Sequence, residues 1–107
     1  MQEIWIQRDE TGRIVEVVGQ GLRVETPAAE AALRFLRAVE TTMRDYLHVD
    51  AELSTEAGVR LVVDRQDFHL HREIDAVTEG LVIGLRQLAA EYPADLEVNE
   101  PTVRVEV

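Results

Sequence analysis

The apolar pattern at the start of the chain predicts a β-hairpin. From Glu3 to Arg8 the residues alternate in period two, with Ile4 and Ile6 on one face of a strand and Glu3, Trp5 and Gln7 on the other. The segment Asp9 to Gly12 supplies turn chemistry, because its glycine accepts backbone angles that β-branched residues resist. The next segment, Arg13 to Gly19, is rich in β-branched residues and predicts the second strand.

Two longer segments repeat their apolar residues every three or four positions and predict amphipathic helices. The first runs from Thr26 to Leu47, where Thr26 can cap free amides and Pro27 fits the first helical turn. The second runs from about Glu73 to Tyr92 and ends at a proline. Each helix has a single apolar stripe and therefore needs a single partner surface.

The remaining apolar segments predict further strands. Val49 to Leu53 and Val59 to Asp64 are separated by a loop of hairpin length, and the tail alternates over Leu96 to Val98 and again over Thr102 to Val107. The predicted order is ββαββαβ in one domain covering residues 1–107, with the last strand interrupted at Pro101. This order favours an α+β two-layer sandwich with both helices on one face of a mixed sheet.

The amino-acid composition excludes several kinds of catalytic and binding site. Asp and Glu number 21 against 11 basic residues, giving a formal charge of −10 that argues against binding to nucleic acid. The sequence has no cysteine and no lysine, so thiol nucleophiles, cysteine-bound zinc and Schiff-base lysines are excluded. It has neither an export signal nor an apolar run long enough to span a membrane, which predicts a cytoplasmic protein without a membrane partner.

One candidate site for catalysis lies before the second helix. His69 and His71 are two residues apart, which on a strand turns both imidazoles to one side, and Asp67 and Asp75 are near in sequence. Imidazole and carboxylate groups bind transition metals or exchange protons, so a metal-dependent enzyme or a hydrolase is an alternative function. A polar loop leading into a helix whose first turn carries acids explains the same residues without a site, and no metal is predicted.

A second candidate lies at the end of the second strand. Gly19, Gln20 and Gly21 lead through a short loop into the first helix, a geometry that can hold a ligand backbone or an anion. Two glycines also make an ordinary flexible connection, so the motif leaves both interpretations open.

The arrangement resembles a known family, the ribosomal-processing cysteine proteases called Prp. The resemblance rests on the order of elements and on a few short segments. These are Val18-Gly19-Gln20-Gly21, Glu30-Ala31-Ala32-Leu33 followed by Thr42 and Leu47, and then Gly84-Leu85, Leu88-Ala89 and Tyr92-Pro93. It implies the family's fold, a homodimer, and a groove for an extended peptide near the glycine loop and the first helix.

The chain departs from the family at its reactive positions. The family's catalytic histidine corresponds to Gln20, its nucleophilic cysteine to Leu33 and its aspartate to Glu30. Leucine has no lone pair, and an amide does not shuttle protons near neutral pH. These departures predict a catalytically inactive protein that is not an enzyme and needs no cofactor.

Without the catalytic residues, the function that the resemblance implies is binding of a peptide or protein, or a role in assembly. The implied peptide groove is formed by Gly19, Gln20, Gly21, Glu30 and Leu33. The acidity of the chain suits a basic peptide, such as the tail of a ribosomal protein, because opposite charge speeds encounter.

Overall fold

The computed structural model describes residues 2–20, 26–56 and 58–101. The elements follow the predicted order. They are β1 (Gln2–Arg8), β2 (Ile14–Gln20), α1 (Pro27–Thr41), a π-helical turn (Thr42–Tyr46), β3 (Ala51–Ser54), β4 (Val59–Val63), a 3₁₀ turn (Phe68–Leu70), α2 (His71–Glu91) and β5 (Leu96–Asn99). The predicted strand Thr102 to Val107 lies outside the described residues.

The strands form one mixed sheet in the order β3-β4-β2-β1-β5. The neighbours β1–β2, β2–β4 and β3–β4 are antiparallel, whereas β5 runs parallel to β1. The α+β prediction with this order of elements is therefore confirmed. Within the described ranges, no helix is long and apolar enough to cross a membrane.

One face of the sheet carries the hydrophobic core. Ile4, Ile6, Val17 and Leu61 are at most 1% exposed and share this face through the ladder register. Apolar residues of both helices join the same buried cluster, including Leu36 and Leu85. The opposite side, called the open face below, is formed by the side chains of Glu3, Trp5, Gln7, Glu16, Val18, Gln20, Glu52, Arg60, Val62 and Glu97.

A β-bulge in β2 allows Ile14 and Val17, which are three positions apart, to point to the same face of the sheet and into the core. Gln7 is opposite Glu16, but the next residue, Arg8, is opposite Ile14, so Val15 is the extra residue. Ile14 and Val17 are consequently both buried. Strict alternation from the sequence would have put them on opposite faces.

The first helix ends earlier than the sequence predicts. The α-helical part stops at Thr41, and Thr42–Tyr46 form a π-helical turn. The Thr42 hydroxyl donates to the Ala38 carbonyl at 2.8 Å, and the Thr42 carbonyl accepts from the Leu47 amide five residues on at 3.1 Å. The Thr42 hydroxyl competes for the Ala38 carbonyl with the backbone N–H group that donates to it in a regular α-helix. Such a local disturbance accompanies the change to a π-helical turn, which is a rare element.

Asp9 organises the turn between β1 and β2. One of its carboxylate oxygens accepts from the Thr11 hydroxyl at 2.7 Å and from the amides of Thr11 and Arg13 at 2.9 and 3.0 Å. The Thr11 hydroxyl contributes most to lowering the pKa of the Asp9 carboxyl, and the two amides add to it.

We expect Asp9→Ala to lower the free energy of unfolding by about 1 kcal/mol near neutral pH, because three hydrogen bonds are lost. Since the folded-state pKa of Asp9 is lowered, its contribution is present above the unfolded-state pKa of about 3.9 and disappears as the pH falls below it. Urea unfolding of the parent and the variant at several pH values measures this difference. Glu10→Ala, the neighbouring exposed acid, is the control; a parent–variant gap that stays constant into acid would contradict the account.

Candidate functional site

The start of α1 lies beside the first residue of β1, at the same end of the sheet as the end of β2. Gln20, the last residue of β2, is opposite Glu3 in the ladder. One residue before Glu3, the Gln2 amide nitrogen donates to the Thr26 hydroxyl at 3.4 Å, and Thr26 caps α1. The candidate site, called the β2–α1 site below, comprises Gly19 and Gln20 of β2 with Glu30 and Leu33 of α1.

Local sequence determines how α1 begins. The Thr26 hydroxyl accepts from the Ala29 amide at 3.2 Å, and Pro27 follows where a missing N–H costs nothing. Ala28 and Ala29 are buried and small, which lets the first turn lie close to the sheet. Unpaired amides give a helix N-terminus partial positive charge, and Glu30 is the acid in this first turn.

Backbone approaches backbone at Gly19. This residue is buried and pairs with Val59 of β4. Gly58 has φ +99°, and a Cβ on it would come within 3.1 Å of the Gly19 carbonyl oxygen. Glycine at position 58 thus permits both the left-handed backbone and the close contact with the end of β2.

The predicted groove residues differ in exposure. Gln20 and Glu30 are exposed, and Glu30 forms an ion pair with Arg34 one turn later at 2.8 Å. Leu33 is 9% exposed and belongs to the hydrophobic core. Gly21 lies outside the described residues. The Gln20 side chain points to the open face and α1 packs on the core face, so a ligand that contacts both Gln20 and Glu30 would have to pass around the end of the sheet. Leu33 mainly supports the helix from inside.

Sequence reasoning missed Gln2. Its side-chain carbonyl oxygen is buried and has no hydrogen-bond partner among the residues that the structure describes. A buried acceptor without a donor is costly. The period-two pattern of β1 gives no signal for this buried oxygen, because it arises from the packing of Gln2 against Thr26.

The structure gives no support to a metal site at His69 and His71, the alternative considered from the sequence. His69 and His71 lie in a 3₁₀ turn and at the start of α2, so the strand geometry that would align them is absent from these positions. His71 Nε2 lies 3.0 Å from the Arg65 carbonyl oxygen, and Asp75 forms an ion pair with the Arg65 guanidinium at 2.7 Å. Within ranges 2–20, 26–56 and 58–101, no three metal-binding side chains are grouped closely enough to hold an ion.

Comparison of the whole fold with solved structures identifies similar proteins. A ribosomal processing protease Prp from S. aureus, solved with a substrate peptide, superimposes with a TM-score of 0.80 at 11% identity, over 94% of this chain and 100% of that chain. The chain has the fold of Prp. The Prp structure with a covalently linked product peptide gives a TM-score of 0.78 at 12% identity with the same coverage. A protein from Streptococcus mutans gives 0.73 at 13% identity, over 94% and 93% of the two chains.

The Prp resemblance inferred from the sequence is confirmed at the level of the fold. No family model matches the sequence. No curated protein matches it either. Fold and order of elements are thus shared with Prp while few side chains are identical, and the predicted homodimer stays a prediction.

The prediction that the chain is not an enzyme is wrong. It was drawn from the missing cysteine, yet the solved Prp structures that share this fold over nearly all of the chain are those of enzymes. The absence of a thiol removes one nucleophile and leaves hydroxyl, carboxylate and imidazole groups in the chain. Lack of cysteine therefore gives no basis for denying all activity.

Proposed function

We propose that this chain is a cytoplasmic protein that binds an extended basic segment of another protein, such as a ribosomal-protein tail, at the β2–α1 site. The observation that carries the proposal is the shared fold with Prp, whose S. aureus structure contains a substrate peptide. The junction of β2 with α1 supplies Gln20 and Glu30 on the surface of this chain.

The polar groups at this junction suit a peptide backbone. The exposed side-chain amide of Gln20 both donates and accepts hydrogen bonds. An extended segment presents backbone N–H and C=O groups at regular intervals, and these match the two halves of the amide. Glycine at position 58 leaves room for the Gly19 carbonyl oxygen at the end of β2, which a Cβ there would meet at 3.1 Å.

Charge favours a basic partner. Glu30 is exposed, and its Arg34 partner is 76% exposed, so the pair is weak and Glu30 can exchange it for a cation of the ligand. The formal charge of −10 attracts a basic segment from a distance. The net charge of the whole chain therefore speeds the association of a basic peptide, and the peptide then contacts the β2–α1 site.

A binding measurement with matched variants tests the proposal. The probe is a fluorescein-labelled peptide with the sequence of a basic N-terminal ribosomal-protein segment from the same cell, followed by anisotropy. We expect Glu30→Lys to weaken binding about threefold or more, because an exposed attraction becomes a repulsion.

Glu10→Lys is the control, since it makes the same change of charge in the exposed turn that follows β1, at the opposite end of the sheet. It should alter the dissociation constant by less than about twofold. Equal weakening by both variants would attribute binding to net charge alone and would remove the support for the β2–α1 site.

A further inference from the structure

The open face of the sheet carries apolar side chains on the side away from the core, of which Trp5 and Val18 are partly exposed and Val62 is exposed. Trp5 of β1 and Val18 of β2 are directly opposite in the ladder, and Val62 of β4 is 41% exposed. Antiparallel sheets often keep one face in water, but that face is then predominantly polar. Here an indole and β-branched side chains stand at the middle of the three central strands.

Acidic residues surround this apolar centre. On the open face, Glu3, Glu16, Glu52 and Glu97 come from four different strands. Arg60 shares the face, but its guanidinium is bound to both carboxylate oxygens of Glu16 at 2.8 and 3.2 Å. The face is therefore apolar in its centre and negative around it.

The same face is hollow at its β3–β4 corner. A depression of about 680 Å³ is lined there by Asp50, Glu52, Val62 and Asp64, with Arg44 of the π-helical turn at its edge. The acids line a volume that could receive several side chains, and Val62 continues the apolar centre into it. The open face therefore combines a depression with a cluster of negative charges.

The charge pattern decides which occupant fits. A second copy would bring these carboxylates against each other, and like charges directly opposed destabilise an interface. Nucleic acid and anionic lipid are repelled for the same reason. A segment with basic residues beside apolar ones satisfies both features of the face, and a helix is the element that commonly covers a sheet.

We propose that the open face docks a basic amphipathic helix of a partner protein, which forms a third layer over Trp5, Val18 and Val62. Its apolar stripe covers these three residues, and its flanking cations pair with Glu52, Glu97 and the corner acids. This surface shares Gln20 with the β2–α1 site but none of the contacts attributed to Glu30, and the proposal does not depend on that site.

Trp5 is the single tryptophan of the chain and reports binding directly. The probe is an 18-residue helical peptide of leucine and arginine, with leucine along one stripe. The control peptide has the same sequence with glutamate in place of each arginine. We expect the arginine peptide to shift Trp5 emission to shorter wavelength as water leaves the indole. The glutamate peptide should produce no shift.

Variants locate the contact. We expect the double variant Glu52→Lys with Glu97→Lys to weaken binding of the arginine peptide about tenfold, and Trp5→Ala to do so by a similar factor when the peptide carries the label. The control is Glu73→Lys with Glu91→Lys, which makes the same charge change on α2. It should change binding less than about twofold.

Two results would overturn the proposal. One is equal binding of the arginine peptide to the double variant and to its control. The other is self-association in sedimentation that Trp5→Ala abolishes, since a second copy would then occupy the face. Glu30→Lys reports on the β2–α1 site and Glu52→Lys on the open face, so either claim can fail alone.

Discussion

Leu36→Ala should lower the free energy of unfolding by about 3 kcal/mol. Leu36 is fully buried in α1, within the cluster that joins both helices to the sheet. Truncation removes apolar surface from the core and leaves a cavity that the surrounding strands and helices fill only in part. Urea or thermal unfolding of the purified chain measures the change.

Arg37→Ala is the control for this substitution. It lies on the exposed side of the same helix, next to Leu36, and keeps the helix propensity high. We expect its effect to stay within about 0.5 kcal/mol. Similar losses for the two variants would contradict the assignment of the α1 stripe to the core.

The second large effect is expected from Asp75→Ala. The Arg65 side chain is 9% exposed, and its guanidinium donates to Asp75 at 2.7 Å and to the Ile14 carbonyl at 2.9 Å. Arg13 Nε, 3.5 Å from Asp75, is buried without a hydrogen bond of its own. Removal of the carboxylate leaves two guanidinium groups without their counter-ion.

We expect Asp75→Ala to cost about 2 kcal/mol, below the range for a fully buried pair because the Asp75 side chain is 37% exposed. Urea unfolding at neutral pH measures it. Glu30→Ala removes an exposed ion pair and should change stability by less than about 0.5 kcal/mol. If Asp75→Ala were as mild as Glu30→Ala, the Arg65 contacts would contribute little to holding α2 on the bulge of β2.

Local signals in the sequence were sufficient for most of the fold. Ile4 and Ile6 are two residues apart and share one face of the predicted strand, and the structure puts both in the core. Thr26 followed by Pro27 is a short-range helix signal, and the hydroxyl does cap α1. These features depend on neighbouring residues, which is why they can be inferred without tertiary structure.

Features set by long-range packing could not be inferred. The position of Arg8 follows the core residues of β1 by alternation, but its guanidinium is bound by Glu79 of α2 and by Glu100 after β5. The hydrogen bond to Glu79 raises the pKa of Arg8. Partners that lie 71 and 92 residues away in sequence leave no local pattern.

The candidate site was partly accessible from sequence. Gln20 and Glu30 could be singled out from the glycine motif and the Prp resemblance, and the structure puts the end of β2 and the start of α1 at the same end of the sheet, joined through β1. Gln2 could not, because its buried carbonyl oxygen depends on contacts across the sheet. The histidine pair lies where the alternative of a polar loop leading into a helix puts it, in a turn and at the start of α2.

Binding at the β2–α1 site is the central claim, and amide NMR during titration with the basic ribosomal-protein peptide tests it most directly. The account predicts saturable shifts that begin at Gly19, Gln20 and Glu30 and that weaken in the Glu30→Lys variant. Shifts confined to Trp5, Val18 and Val62, or none at saturating peptide, would contradict it.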